Sequence, residues 1–157
     1  TNSSELNPWL QKVFTTKGSV TAMVAHEISH TQQQNGNSGN LLEQSIKEGA
    51  CDFIAEQIYK PVSSSYMDYG NLHEKQLWFA FKKEMNDQDF KNWLYNGNEA
   101  PGGVADLGYF IGYQICKSYY GNAINKRRAI RKIIDLKYGK KAALKFLIKS
   151  QYNEKPK

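Results

Sequence analysis

The sequence predicts an all-α fold, a helical bundle built around two helices that face each other. Three observations carry that expectation. Apolar residues recur at helical spacing in one segment after another along the chain. Chemically distinctive residues sit four apart in two places, His26-Glu27-Ile28-Ser29-His30 and Glu48-Gly49-Ala50-Cys51-Asp52. The residues before His26 show no convincing alternation of the kind a half-buried strand requires. At 157 residues the chain fits a single domain, residues 1–157, long enough to bury a core, and no internal repeat is evident.

The elements follow in order. Asn7-Pro8-Trp9 offers a cap and a proline at the first helical position, so a short helix is expected over residues 7–14, broken at Gly18. Ser19 or Thr21 can cap a helix over residues 20–34 that carries both histidines, roughly 22 Å long at 1.5 Å per residue. The Gly/Asn/Ser stretch 35–40 reverses the chain. A second long helix is expected over residues 41–59, with Leu42, Ile46, Phe53, Ile54 and Ile58 on its apolar side and Pro61 ending it. Glu56 continues the line of Glu48 and Asp52 and is expected to be a solvated surface residue. Ser- and Tyr-rich residues 62–71 read as a loop, followed by a helix over 72–85 and a shorter one from Asp87 with Phe90, Trp93 and Leu94. Asn96-Gly97-Asn98 and Pro101-Gly102-Gly103 form a second loop.

A helix over residues 105–120 is expected despite Gly108 and Gly112, each costing about 1 kcal/mol in a helix interior. Two glycines four apart bare one face, so another helix can approach closely, and the histidine-bearing helix is the expected neighbour. Helices over 126–136 and 140–150 finish the chain, and residues 153–157 are expected to be disordered. Cys51 and Cys116 form no C-x-x-C unit and are read as buried free thiols.

Residues four apart on a helix lie about 40° from each other around its axis, so His26 and His30 share a face, with Glu27 on the same side. That face can hold a divalent metal through two neutral ring nitrogens, with a carboxylate beside the open coordination position. A zinc site needs a third protein ligand, and Glu48 is the candidate. Asp52, one turn later, then faces the same site. Histidines at this spacing also occur as ordinary surface or core residues. Here the preceding Ala22-Met23-Val24-Ala25 is small and apolar, as suits a buried metal-bearing helix, and the chain reverses before Glu48 and Asp52 return one turn apart.

This pattern resembles the gluzincin zinc metallopeptidases, the thermolysin-like group, in which H-E-x-x-H is followed on a later helix by a glutamate ligand and an aspartate four residues beyond. Leu107-Gly108-Tyr109-Phe110-Ile111-Gly112-Tyr113-Gln114-Ile115 and Phe146-Leu147-Ile148-Lys149-Ser150-Gln151-Tyr152 are similar to a family of bacterial predicted zinc-dependent proteases, many of them lipoproteins or secreted. The similarity runs from about Val20 to Tyr152. It implies one Zn2+ per chain held by His26, His30 and Glu48, with Glu27 as general base in peptide hydrolysis. It also implies that Asp52 orients His26, and that a downstream Tyr or His stabilises the oxyanion. Tyr109 and Tyr113 are the preferred candidates, ahead of His73. Lys47 stands where thermolysin-like enzymes often carry a short polar residue, which leaves the support of His30 open. Thermolysin-like enzymes bind extended substrate on an edge strand before the metal helix, and no such strand is legible here. Either that strand lies in a removed N-terminal region, and the chain is the helical part of such a domain, or the helical unit binds substrate differently. The other reading that follows is a non-catalytic metal-binding module of the cell envelope.

Charge is uneven. Residues 121–157 hold 12 of the 21 Lys and Arg but 2 of the 15 Asp and Glu, a net +10, so the overall +6 leaves −4 for residues 1–120. The basic C-terminal helices carry no nucleic-acid motif and no aromatic-interleaved basic run, and nucleic acid is not an expected partner. The expected partner is a peptide or protein substrate. No run approaches a membrane span in length. The first residues, Thr1-Asn2-Ser3-Ser4, include neither Met nor an apolar signal segment. A removed upstream segment is expected, whether a signal peptide, a lipoprotein anchor, a larger N-terminal region or a cut made in cloning, with a secreted, periplasmic or outer-surface location by resemblance.

Overall fold

A computed structural model describes residues 17–34, 39–59, 64–97, 100–137 and 139–152. The expected helix over 7–14, the loop residues 35–38, Pro61 and the tail 153–157 lie outside the described residues. Within them the fold is all-α: α1 Lys17–Gln32, α2 Leu41–Ile58, α3 Ser65–Glu84, a 3-10 turn Pro101–Gly103, α4 Leu107–Asn122, α5 Lys126–Ile134 and α6 Lys140–Ser150. None of these helices is long and apolar enough to cross a membrane.

The centre of the bundle is the crossing of α2 and α4, and glycines make it. A Cβ at Gly112 would lie 1.7 Å from the Ser45 carbonyl oxygen, and one at Gly49 would lie 2.0 Å from the Tyr113 nitrogen. Backbone meets backbone there. Gly108 likewise faces Leu94 and the Ser45 hydroxyl. The sequence expectation of a close helix is met, but the neighbour is α2, which carries Glu48 and Asp52, and not the histidine-bearing α1. A second glycine at the crossing, Gly49, explains the preference: two bared faces can come closer than one.

The ends of α2 are tied by polar contacts. The Asn40 side chain accepts the Glu43 N–H at 3.0 Å, and Glu43 reaches back to accept the Gly39 N–H at 2.8 Å, a variant of the capping box. The N–H groups of Leu41 and Leu42 donate to the carbonyls of Asp87 and Met85, 2.9 Å each, so the start of α2 docks on the chain leaving α3. Around α2 and α4 lie Trp78, Phe81, Phe53, Phe110, Ile111, Ile115 and Leu147, all fully buried. Ser118 and Asn122 donate to the Ser150 carbonyl and fasten the end of α6 to α4.

Several local expectations are corrected. The helix of α1 already includes residues 17–20, so Gly18 does not break the chain there and Ser19 and Thr21 lie within the helix. Its outer face is not buried: Val24 and Ile28 are exposed, and of the small apolar run only Ala25 is in the core. Residues 65–71 are helical, not a loop. Ser64 caps α3 by accepting the Met67 N–H, and Gly70 fits under the Phe110 ring, where a Cβ would lie 2.4 Å away. The kink at His73 marks the place where the composition suggested that the helix begins. The helix expected from Asp87 is instead a single turn in which the N–H groups of Trp93 and Leu94 both donate to the Phe90 carbonyl. Tyr95, with φ of 58°, ends it. Cys51 and Cys116 are buried and free, as expected.

Candidate metal centre

α1 packs along α2, and their one-turn spacings coincide: His26 and His30 on one helix stand against Glu48 and Asp52 on the other. Asp52 Oδ1 lies 2.7 Å from His26 Nδ1. Gln33 Oε1 lies 2.9 Å from His30 Nδ1. The Gln33 amide orientation is set independently, because its Nε2 donates to the Lys47 carbonyl at 2.8 Å. Nδ1 of each imidazole therefore carries a proton and Nε2 turns inward, where it offers a lone pair when the ring is neutral. The two Nε2 atoms are 3.1 Å apart, and Glu48 Oε2 lies 3.1 Å from that of His30 and 3.7 Å from that of His26.

Three electron-rich atoms so close repel one another unless a cation or protons stand between them. Tetrahedral arms of about 2.05 Å place ligand atoms about 3.3 Å apart, which the three separations bracket. The donor set, two imidazoles and a carboxylate, suits zinc. A second trio exists, since Cys51 Sγ joins His26 and His30 with ligand atoms within 4.8 Å of one another. Its sulfur, however, approaches His30 on the Nδ1 side, at 3.4 Å, where Gln33 already accepts.

Electrostatics follow the same geometry. Burial alone pulls the His26 imidazole down, yet its hydrogen bond to Asp52 and the Glu48 carboxylate 3.7 Å away prevail and push its pKa up to about 9. The hydrogen bond to Glu48 raises that of His30. Burial opposes ionisation of Glu48, but the His26 and His30 imidazoles beside it and the hydrogen bond from Tyr95 hold its carboxyl well below the usual carboxylate range. In metal-free protein the His26 contribution to stability is complete below 6.5 and is lost as pH rises through about 9. That of Glu48 is complete above 4.5 and is lost as pH falls. The melting temperature of metal-free protein is therefore expected to peak between about pH 4.5 and 6.5 and to fall towards pH 9. A metal ion held there would compete with protons for the same atoms, so zinc affinity is expected to rise as pH rises. Thermal melts across pH with chelator and with zinc check both slopes; parallel slopes would contradict the shared site.

The remaining residues divide clearly. Tyr109 lies against His26 with ring centroids 6.1 Å apart and 23° between planes, and burial together with the Glu48 charge raises its pKa. Tyr113 points elsewhere: its hydroxyl donates to Glu56 and accepts from Lys117 at 2.8 Å. Glu56 is thus partly buried and engaged, not simply solvated. His73 stacks on Tyr69 within α3, with centroids 4.2 Å apart. Glu27 is exposed beside the ligand face.

Sequence reasoning missed four residues that brace the carboxylates and histidines. Tyr66 donates to Asp52 Oδ2 at 3.0 Å, and Tyr95 and Gln44 donate to Glu48 Oε1 at 2.6 and 3.0 Å. Gln33 supports His30, the role that Lys47 left open; it stands one turn beyond His30, and Gln44 one turn before Glu48, so helical spacing was a usable signal for these two. For Tyr95 no sequence signal existed. A cleft of about 430 Å3 opens here, lined by His30, Gln33, Gln44, Lys47, Glu48 and Tyr95. A larger one, about 560 Å3, lies along the basic side chains of α5 and includes none of the site residues.

Residues 8–138 match a family model described as "Predicted Zn-dependent protease (DUF2268)". No curated protein and no solved structure matches the chain.

Proposed function

The chain belongs to this family of predicted Zn-dependent proteases, and from that premise we propose that it is a gluzincin-like metallopeptidase whose zinc ion is held by His26, His30 and Glu48. The observation that carries the proposal is the convergence of two Nδ1-protonated imidazoles and one carboxylate oxygen on a single point. The carboxylate is preferred over Cys51 as third ligand because Glu48 Oε2 faces the Nε2 atoms of both histidines, while the Cys51 sulfur approaches His30 on its Nδ1 side.

When bound, the ion supplies Lewis acidity, polarising a peptide carbonyl and acidifying a water. Asp52 and Gln33 hold the imidazole rings in the tautomer and orientation this requires. Glu27 takes the proton of the attacking water and returns it to the leaving amine. Of the two tyrosines expected downstream, Tyr109 is assigned to the oxyanion, since Tyr113 is committed to Glu56 and Lys117. The polar cleft beside His30 receives the peptide chain on one side of the scissile bond.

A second reading, metal binding without catalysis, is favoured by one observation: the described residues contain no strand on which an extended substrate can pair. A peptide library incubated with zinc-loaded protein separates the two. The proposal expects cleavage that a chelator abolishes and zinc restores. Stoichiometric zinc without cleavage of any peptide would leave the second reading standing.

A further inference from the structure

Glu48 presents its two oxygens to different partners. Oε2 faces the histidines, whereas Oε1 accepts from the Tyr95 hydroxyl at 2.6 Å and from the Gln44 amide at 3.0 Å. Gln44 also donates to the Tyr95 hydroxyl, closing a three-membered polar ring on the side away from the imidazoles. A carboxylate with both oxygens available can chelate a metal through the pair. One oxygen saturated by two donors is a poor second ligand.

Two local costs are accepted to hold this arrangement. Gln44 turns its amide nitrogen to Glu48 and Tyr95, and its own Oε1 is left buried without a hydrogen-bond partner. Tyr95 holds a left-handed backbone, φ 58°, in a residue that is 59% exposed, so core packing does not explain its position. Both residues donate to the same atom, Glu48 Oε1. Such departures from local rules concentrate at functional sites.

We propose that Tyr95 and Gln44 are positioning residues that make Glu48 a one-oxygen ligand, so that a coordination position stays open for water and substrate. The inference rests on the metal site proposed above. It commits to a function for a pair outside the ligand set: they govern how the third ligand binds, not only whether it binds.

The test uses Co2+ as the probe in wild type, Tyr95→Phe, Gln44→Leu and the double variant, with far-UV circular dichroism to confirm folding. Tyr95→Phe keeps the exposed ring and removes one donor, so it tests the idea even where Gln44→Leu disturbs the helix. Visible d–d absorption of Co2+ is intense at coordination number four and weakens as the number rises. Wild type is expected to show the stronger band and the double variant the weaker one, with Tyr95→Phe between them. Metal affinity is expected to fall roughly tenfold or more in the folded variants, as when groups orienting a ligand are lost. Superimposable spectra in folded variants that bind Co2+ would overturn the inference, even with reduced affinity, because the donors would then support Glu48 without choosing its mode. Wild type that binds no Co2+ would overturn the metal site itself, and this inference with it.

Discussion

Replacing Glu27 by Gln is expected to reduce peptide hydrolysis by about 10²–10⁴-fold while leaving the zinc content of the protein unchanged. The two halves of this result come from different parts of the geometry. Glu27 is exposed on α1, and the converging atoms belong to His26, His30 and Glu48, so its amide analogue subtracts nothing from the ligand set or the core. The amide is isosteric but cannot accept a proton in the attack step. Turnover of a cleaved library peptide, measured beside elemental analysis of the same preparation, checks both. Wild-type turnover in Glu27→Gln would remove the general-base role and, with it, the argument from the H-E-x-x-H spacing to hydrolysis.

The second large effect is on the fold. Gly112→Ala is expected to destabilise the protein by more than about 4 kcal/mol, the exceptional end for single substitutions and a large share of the roughly 5–15 kcal/mol that holds a domain together. The new methyl group would meet the Ser45 carbonyl at 1.7 Å, and no rotamer change can move a backbone atom out of its way. α2 and α4 must separate, and α2 carries Glu48 and Asp52, so metal affinity is expected to fall along with stability. Gly121→Ala provides the contrast within the same helix. It meets nothing within 4 Å, and the gain in helix propensity should leave stability equal or raised by about 0.5–1 kcal/mol. Urea unfolding of the two variants measures the difference; equal stability would show that the helices do not meet in a bare backbone crossing.

The glycines also show what could be read from the chain alone. Gly108 and Gly112 announce a close approach, because four-residue spacing bares one helix face, but spacing on one helix does not say which helix will fill it. Gly49 was the missing half of that information, hidden inside the motif read for chemistry. The four site residues His26, His30, Glu48 and Asp52 were legible because each pair obeys the helical repeat, and so the approach of two helices brings all four together. Gln33 and Gln44 obey the same repeat. Tyr95 does not. It reaches Glu48 from a turn whose path depends on Asn96 bridging the Lys91 carbonyl and the Asp106 N–H, contacts that have no periodic signature.

The errors in the elements have similar causes. Residues 65–71 read as a loop because the stretch 62–71 is rich in Ser and Tyr, yet Ser64 is a cap and Gly70 a contact with Phe110. Residues 87–94 looked helical because Phe90, Trp93 and Leu94 have the spacing of one turn, and one turn is all they form. Local composition records the possibility of a helix; the neighbouring aromatic ring or the left-handed residue decides its length.

The most direct test of the metal centre is zinc content per chain, by elemental analysis of purified wild type, Glu48→Ala and Cys51→Ser after zinc supplementation. The account predicts close to one zinc in wild type and in Cys51→Ser, and a sharp loss in Glu48→Ala. Zinc retained in Glu48→Ala but lost in Cys51→Ser would transfer the third position to the thiol, and a wild type that holds no zinc would contradict the centre altogether.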